Sequence, residues 1–498
     1  MLLCGAAYGA CFPPLALRPL AWVVLVPAFV ALLRATPRRA AALGGLLGFA
    51  GACATVAWLP RTVVVYFGQP LPVGLALFVG VTLVTVVPYY AAVGAFLAAA
   101  GRRWSAALPL VVGAAWVSAE LARATLLGGN PWVLAGYSQV GIAPLVQVAD
   151  CTGVYGLSFA IVAVNVALAD VWRRGQPALP GLLIAAALVV TVLGYGAARL
   201  AREAVAPVPA TAVVIVQGNL DLGAQWRSEQ YGQNLDTYLR LTLEALRATP
   251  APLVVWPESA MTFFIDDEPR YRAAISRVLS DSGTTLVSGG VAARDGHEPY
   301  TNAAFAIAPD GAVRARYDKR RLLPFAESFP LPELDLLRRN FGRVREFTPG
   351  HPSAPLPTPA GPAGVLICNE AFYPSDARAR VREGARVLLN LSNDSWVGDR
   401  QFSTIAFDMS ALRAVETRRW LLRASTAGPS AVVDPSGQLA AVSPLFEPAV
   451  LRGAVGARDD LTPYVRWGDV FAYACGAVTL LAVAALCRGR RVGGTGRD

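Results

Sequence analysis

The feature that most constrains this chain is a series of apolar segments. A helix needs about 20 apolar residues to cross the ~30 Å hydrocarbon core of a bilayer. Segments near that length occur at 17–33, 40–60, 72–99, 106–122, 155–172, 178–198 and 470–487. A shorter run at 1–12, which ends at Pro13-Pro14, is interpreted as a short retained span because it lacks the features of a cleaved signal peptide. The sequence therefore predicts a multi-span α-helical membrane domain of about eight helices.

The distribution of charge supports a membrane protein. Only 16% of the 498 residues are charged, against about 25% in soluble globular proteins. Residues 1–201 contain 11 basic and 3 acidic residues, whereas residues 202–469 contain 29 and 30. The positive excess therefore lies in and beside the apolar segments, which is typical of membrane orientation rather than of nucleic-acid binding. We expect no nucleic acid among the partners of this protein.

Arginines indicate how the spans are oriented. They follow alternate spans along the chain: Arg34, Arg38 and Arg39; Arg102 and Arg103; Arg173 and Arg174; Arg488, Arg490 and Arg491. The positive-inside rule places these loops in the cytoplasm and the large region between the last two spans outside it. We predict a membrane domain at 1–201 with about seven transmembrane helices, an extracytoplasmic domain at 205–466, and a C-terminal transmembrane helix with a cytoplasmic tail at 469–498.

The region 205–466 has the pattern of an α/β domain. Short β-branched runs occur at 212–216, 253–256, 285–289, 365–367, 387–391 and 431–433, with helical patterns at 228–248, 269–281, 375–384 and 402–419. Strands that alternate with helices predict a layered α/β fold. The Pro-rich stretch 351–362 is interpreted as a loop or edge.

Cysteine and histidine are too sparse and scattered for a metal site. The seven cysteines form no Cys-x-x-Cys pair, and His297 and His351 are the two histidines. We therefore expect no metal and no cofactor. Cys368 is the one cysteine inside the polar region, at the end of the strand-like run Gly364-Val-Leu-Ile-Cys368. A strand-to-helix turn suits a nucleophile, although a lone cysteine is more often a small buried hydrophobe.

Lys319 is the single lysine among 44 basic residues. An arginine-biased chain that retains one lysine suggests a position that needs a compact ammonium rather than a planar guanidinium. The alternative is a chance survivor on a solvated face. Glu258, in Val254-Val-Trp-Pro-Glu-Ser259, follows an apolar strand run, where burial can raise its pKa toward that of a general base. The alternative is a surface turn, and Glu327 and Glu370 are further carboxylates with similar alternatives.

These residues occur in the order of a known constellation. Glu in a WPE(S/T) block, Lys in a Y-x-K-R-x-L-x-P-F-x-E block and Cys in an IC-x-E block resemble the nitrilase/carbon–nitrogen hydrolase superfamily. With the membrane segments, the whole chain resembles the apolipoprotein N-acyltransferase family. Further matching blocks are Gly129–Ser138, Val216–Asn219 with Trp226, Asn390–Trp396, Arg413–Glu416 and Ser430–Gly437.

The resemblance implies a nitrilase-like αββα sandwich and a ping-pong acyl transfer through a thioester on Cys368. Glu258 is then the general base, and Lys319 with the backbone N–H of Asn369 stabilises the oxyanion. Supporting residues implied by the resemblance are Glu327, which positions Lys319 or the incoming amine, Asn369, Glu370 and, at the entrance, Trp226.

The implied partners are a phospholipid acyl donor, diacylglyceryl-modified apolipoproteins and the lipid bilayer, with no cofactor. The implied location is the bacterial inner membrane, with the catalytic domain in the periplasm, and we expect a monomer. Two apolar segments, 261–265 and 329–337, are candidate entrance loops, with ordinary core packing as the alternative.

The chain departs from the family pattern at three places. Asn369 stands where an aromatic residue usually follows the nucleophile, Ser425-Thr-Ala-Gly428 stands for an N-T-G block, and Ser403-Thr-Ile405 replaces an aromatic or Gln-His pair. The alternative functions are a membrane-anchored nitrilase-like amidase or hydrolase, in which water resolves the thioester, and a catalytically silent lipid-binding or chaperone-like protein.

Overall fold

The protein folds into two compact units. The structure is a computed structural model and describes residues 1–175, 178–203, 211–220, 230–294, 297–328 and 346–492. One unit comprises Met1–Arg61, Pro72–Arg202 and Trp467–Asp498, and the other comprises Thr62–Leu71 and Glu203–Arg466.

The first unit is helical in the residues described. Its helices are α1 (Leu2–Gly9), α2 (Val26–Arg34), α3 (Pro37–Thr55), α4 (Trp58–Val65), α5 (Leu71–Thr85), α6 (Val87–Ala100), α7 (Leu108–Thr125), α8 (Ala143–Val146), α9 (Ala149–Thr152), α10 (Val154–Arg174) and α11 (Leu179–Glu203). The helices of the second unit are α12 (Tyr231–Ala248), α13 (Pro269–Leu279), α14 (Pro374–Arg382), α15 (Arg400–Thr417) and α16 (Pro463–Trp467), which ends at the boundary between the units. The last helix, α17 (Val470–Val492), belongs to the first unit.

The expectation of eight spans is not confirmed. Within the described residues, the helices long and apolar enough to cross a membrane are Leu71–Ala100, Val154–Arg174, Leu179–Glu203 and Val470–Arg488. The pair α3 and α4, bent by 52°, adds a fifth if it is one span. The segment at 1–12 forms only the eight-residue α1, which at 1.5 Å per residue is about 12 Å long. The segment at 17–33 is divided between a 3-10 turn at Arg18–Trp22 and the nine-residue α2.

The second unit contains two mixed sheets. The strands are β1 (Thr211–Gln217), β2 (Leu253–Val255), β3 (Thr285–Arg294), β4 (His297–Ile307), β5 (Val313–Asp318), β6 (Ala363–Ile367), β7 (Val387–Ser392), β8 (Leu421–Ser425), β9 (Ala431–Val433), β10 (Leu439–Val442) and β11 (Ala449–Val455). The sheet orders are β11-β1-β2-β3-β4-β5 and β10-β9-β8-β7-β6. In each sheet three neighbouring strands are parallel, β1-β2-β3 and β6-β7-β8, and the remaining neighbours are antiparallel.

The alternation of side-chain direction along each strand explains why the sheets pack against each other on one face and against helices on the other. Val213 and Ile215 of β1 point into a core shared with the second sheet, whereas Val214 and Val216 point into a core shared with α12 and α13. Successive side chains of a strand face opposite sides, and a strand buried on both sides is a continuous apolar run. Helices α14 and α15 contact β6 and β8 of the second sheet. The unit is therefore a layered αββα sandwich, as expected for a nitrilase-like domain.

Candidate active site

The candidate catalytic side chains follow the ends of strands in both sheets. Glu258 follows β2, Lys319 follows β5, and Cys368 follows β6. The carboxyl ends of neighbouring parallel strands lie at one edge of a sheet, which is where α/β proteins assemble their sites. Lys319 Nζ lies 3.6 Å from Glu258 Oε1. Both are close enough to Cys368 for their charges to shift the pKa of its thiol. The structure therefore brings Glu258, Lys319 and Cys368 together.

Cys368 occupies a strained turn. It is the first residue of the 3-10 helix Cys368–Phe372, directly after β6, and its φ is +51°. Residues other than glycine rarely adopt this conformation, and such strain is typical of functional sites. The side chain is 5% exposed. Burial and the Glu258 carboxylate raise the pKa of the Cys368 thiol, whereas Lys319 lowers it. The net pKa lies well above the ordinary value of a thiol. The resting side chain is a thiol, which needs a base to become a nucleophile.

Glu258 has the surroundings of a general base. Its Oε1 accepts a 2.8 Å hydrogen bond from the side chain of Asn302, and its Oε2 accepts one of 2.8 Å from the backbone N–H of Asn393. Burial raises the pKa of Glu258, although Lys319 lowers it. A raised pKa brings a carboxyl group closer to the range useful in acid–base catalysis at neutral pH. Gly289 makes room for this residue, because a Cβ atom there would lie 2.6 Å from the Glu258 Cα.

Lys319 is held between two carboxylates. Its Nζ donates a 2.8 Å hydrogen bond to Glu327, and the side chain is 1% exposed. Burial alone lowers the pKa of Lys319, but Glu327 and Glu258 raise it, and the net pKa lies above its usual value. The ammonium therefore stays charged at neutral pH. Glu327 is fixed in turn by a 2.7 Å hydrogen bond from the backbone N–H of Leu323.

Asn302 is a site residue that the sequence motifs did not indicate. Its side-chain Nδ2 donates to Glu258 at 2.8 Å and to Glu327 at 2.7 Å, so that one amide bridges the two carboxylates. Its backbone oxygen accepts a 2.8 Å hydrogen bond from the Lys319 N–H. The residue lies inside β4 and outside every block that resembles the family, and no sequence signal singles it out.

Glu370 connects the nucleophile turn to the segment that carries Lys319. One oxygen accepts from the backbone N–H of Ile367 at 2.7 Å, and the other accepts from the backbone N–H of Arg320 at 2.8 Å and the hydroxyl of Tyr317 at 2.8 Å. Burial raises the pKa of Glu370, although Arg380 lowers it. These contacts lie on either side of the site, so Glu370 is placed to hold the two segments in position.

The remaining site candidates differ in how far the structure describes them. Asn369 is 3% exposed, and its Oδ1 is buried without a hydrogen-bond partner among the described residues. Trp226 and the candidate entrance loop at 329–337 lie outside the described residues. In the other candidate loop, Met261, Phe263 and Ile265 are at most 2% exposed and belong to the core beside α12 and α13. For these three side chains the core-packing alternative is correct.

A buried ion pair supports the loop that reaches Glu258. Asp394 Oδ2 accepts a 2.8 Å hydrogen bond from Arg423 and a 3.0 Å one from the Ser425 hydroxyl. A Cβ atom at Gly428 would lie 1.9 Å from the same oxygen. The block that departs from the family pattern, Ser425–Gly428, thus packs around Asp394, the residue after Asn393. Among the described residues, no group of three or more His, Cys, Asp or Glu side chains is arranged to hold a metal ion.

Comparison with known proteins identifies both parts of the chain. Residues 4–167 match the apolipoprotein N-acyltransferase N-terminal domain, and residues 213–458 match the carbon–nitrogen hydrolase family. A protein named apolipoprotein N-acyltransferase from Geobacter metallireducens is 36% identical over 97% of this chain and 94% of its own length. One of the same name from Azotobacter vinelandii is 33% identical over 93% and 91%. A crystal structure of an amidase from a Nesterenkonia species is 21% identical over 54% of this chain and 97% of its own, with a TM-score of 0.40.

The family matches, together with the apolar helices, define the class: a membrane acyltransferase with a carbon–nitrogen hydrolase domain. The chain belongs to the apolipoprotein N-acyltransferase family.

Proposed function

We propose that this protein transfers an acyl chain from a membrane phospholipid to the N-terminal amine of the diacylglyceryl-cysteine of apolipoproteins. Family membership supports lipoprotein N-acylation in general. The observation that supports the chemical proposal is the buried ammonium of Lys319. It lies between Glu258 and Glu327, and its positive charge lowers the pKa of the Cys368 thiol. This set supplies a base, a nucleophile and an oxyanion donor with no metal.

The first half-reaction forms a thioester. Glu258 takes the proton of the Cys368 thiol as the sulfur attacks the ester carbonyl of the phospholipid. The tetrahedral oxyanion is stabilised by the Lys319 ammonium and by the backbone N–H of Asn369, because donors prearranged around a developing charge are the strongest catalytic aid in a buried site. Glu258 then returns the proton to the departing lysophospholipid alkoxide.

The second half-reaction forms the amide. The α-amine of the diacylglyceryl-cysteine attacks the thioester carbonyl, and the Cys368 sulfur leaves. Glu258 receives the amine proton and delivers it to the departing thiolate, which restores the starting state. Glu327 holds Lys319 through the 2.8 Å hydrogen bond, so that the ammonium returns to the same position for each oxyanion.

The proposal includes a cellular arrangement. We place the protein in the bacterial inner membrane as a monomer, with 1–201 and 469–498 in the membrane domain and 205–466 on the periplasmic side. The alternation of arginine-rich loops supports this orientation. Both substrates are lipids in the outer half of that membrane, and a site on the opposite side would not reach them.

The alternative is a membrane-anchored hydrolase in which water resolves the thioester. It shares the nucleophile and the base, so the two functions are separated by their products. The experiment is mass spectrometry of a model lipoprotein in a host depleted of its own N-acyltransferase and supplied with this protein. An amide-linked third acyl chain supports the transferase. A lipoprotein that keeps a free α-amine while free fatty acid accumulates would support the hydrolase.

A further inference from the structure

Arg380 is a buried charge that the chemistry at Cys368 does not use. It lies on α14 and is 4% exposed. Arginine is almost never fully buried unless it is paired, so the groups around the guanidinium indicate what this residue does. Those groups all belong to the second unit.

The guanidinium of Arg380 contacts two strands that lie in different sheets. Its Nε donates a 3.0 Å hydrogen bond to the carbonyl oxygen of Val365 in β6. Its Nη2 donates one of 2.5 Å to the Tyr317 hydroxyl in β5, and its Nη1 donates one of 3.1 Å to Glu383. Glu383 also accepts a 2.7 Å hydrogen bond from Arg320. Arg380 therefore connects the strand that leads to the nucleophile with β5 and the segment that follows β5.

Glu370 lies beside Arg380 and is surrounded by hydrogen-bond donors. Its Oε1 is 3.8 Å from Arg380 Nη2 and accepts a 2.8 Å hydrogen bond from the Tyr317 hydroxyl. Its two oxygens also accept from the backbone N–H groups of three residues: Ile367, Arg320 and Arg321. This arrangement favours the ionised carboxylate, because a proton on either oxygen would displace at least one donor.

An ionised Glu370 needs a positive charge nearby, because the side chain is fully buried. Burial raises the pKa of Glu370, and Arg380 is the main group that lowers it. Burial also raises the pKa values of the Cys368 thiol and the Tyr317 hydroxyl, so that neither is charged at neutral pH. Other charged groups near Glu370 are each paired with a different carboxylate: Lys319 with Glu327, Arg320 with Glu383, and Arg321 with Asp376.

We propose that Arg380 is a positioning residue for the reaction at Cys368: its guanidinium keeps Glu370 ionised, and the ionised carboxylate holds the nucleophile turn and the segment after Lys319 together. The inference rests on the proposed function, to which it adds a residue that touches no reacting atom. Without the charge of Arg380, Glu370 takes up a proton and releases backbone N–H groups on one side of the site. The site then loses its geometry at a pH at which wild type keeps it.

A stability measurement tests the charge coupling without any assay of activity. Full-length wild type and Arg380→Met are purified in detergent, and thermal unfolding is recorded from about pH 8 to about pH 5. The matched control is Arg382→Met, at an exposed arginine of the same helix. We expect a lower midpoint for Arg380→Met and a deficit that narrows as the pH falls. A carboxyl group with a higher pKa in the folded than in the unfolded state destabilises the fold while it is ionised, and protonation removes that penalty.

A second substitution separates the charge coupling from loss of packing. Glu370→Gln combined with Arg380→Met removes the uncompensated carboxylate, so the double variant should unfold at a higher temperature than Arg380→Met. If Arg380→Met does not fold at neutral pH, recovery of folded protein in the double variant measures the same coupling. A deficit that does not change with pH, or a double variant no more stable than Arg380→Met, would overturn the proposal.

The pH profile of thioester formation tests the positioning role. In Arg380→Met the acid limb of kcat/KM should move to higher pH by at least about one unit, the effect of removing an opposite charge close to a carboxyl group. Arg380→Lys keeps the charge and should keep the acid limb near that of wild type. In the Glu370→Gln background, Arg380→Met should leave the limb in place, because no carboxyl group remains at that position to titrate.

The outcomes distinguish this inference from the proposed function. An unshifted acid limb in folded Arg380→Met, or an equal shift in the Glu370→Gln background, would refute the role of Arg380 while thioester formation in wild type upholds the proposed function. Absence of a thioester in wild type would contradict the proposed function, and with it the part assigned to Arg380 in the reaction.

Discussion

Glu370 reaches back across the nucleophile to Ile367, because its Oε2 accepts a 2.7 Å hydrogen bond from the backbone N–H of the residue before Cys368. Its other oxygen accepts from the backbone N–H groups of Arg320 and Arg321, directly after Lys319. One buried carboxylate thus ties the nucleophile turn of one sheet to the lysine-bearing segment of the other.

Glu370→Gln should therefore weaken the site without removing a reacting group. Glutamine has one acceptor oxygen in place of two, so backbone N–H groups on one side lose their partner. We expect acylation of Cys368 at least about tenfold slower and a free energy of unfolding lower by about 1–3 kcal/mol. The measurements are thioester formation, the alkylation rate of Cys368 by iodoacetamide, and thermal unfolding. Glu244→Gln, at an exposed position, is the control, and unchanged alkylation in Glu370→Gln would contradict a positioning role.

Cys368→Ala should abolish the acyl-enzyme. Cys368 is the cysteine at the strained turn between β6 and the following 3-10 helix. Labelling with an alkyne-tagged phospholipid, followed by hydroxylamine, detects the thioester. Cys53→Ala, at an exposed cysteine, serves as the control and should label as wild type does. A hydroxylamine-sensitive adduct that persists in Cys368→Ala would assign the nucleophile elsewhere.

Lys319→Arg should be nearly as damaging as Lys319→Ala. The Lys319 side chain is 1% exposed, and its ammonium lies 2.8 Å from Glu327 and 3.6 Å from Glu258. A bulkier planar guanidinium therefore cannot take its place without displacing a carboxylate. Loss of one oxyanion donor typically lowers the rate by about 10²–10³. The assay is acyl-thioester formation in purified protein. The control is Arg316→Lys on β5, and rates within about threefold of wild type in Lys319→Arg would refute the role.

The pH dependence of kcat/KM should have an acid limb above the ordinary range of a glutamate. The base must be ionised, and burial raises the pKa of Glu258, so protonation removes the base at a higher pH than the ~4.3 of an exposed glutamate. The pKa of Lys319 is raised above its usual value. Loss of the ammonium proton therefore does not lower kcat/KM at mildly alkaline pH. A pH profile of thioester formation tests this. An acid limb at or below the ordinary glutamate value would show that Glu258 is not the base.

The catalytic domain should lie outside the cytoplasm. Alkaline phosphatase fused near residue 300 is expected to be active, and fused after Arg174 it is expected to be inactive, since the arginine pairs mark cytoplasmic loops. Enzyme activity of the fusions, with their amounts compared on blots, measures the orientation. The reverse pattern would refute both the topology and the proposed access to lipoproteins.

Local patterns predicted part of the fold. The continuous apolar runs at β1, β2, β6 and β7 are buried on both sides, and such runs are visible without tertiary information. β5 was missed because its residues, Val-Arg-Ala-Arg-Tyr-Asp, are mostly half-buried or exposed and lack an apolar run. The expected eight spans are not confirmed in the described residues, because composition does not reveal where a helix breaks, as in the segment at 17–33.

The sequence by itself determined the layered α/β domain and the membrane segments in outline, and it predicted the set Glu258, Lys319 and Cys368, because periodicity and ordered motifs are local properties. Only the tertiary structure decided that Asn302, 44 residues from Glu258 and 25 from Glu327, bridges both carboxylates with one amide. Such a role depends on which strands become neighbours and which side chains meet there. It is a property of three-dimensional packing, to which spacing along the chain gives no access.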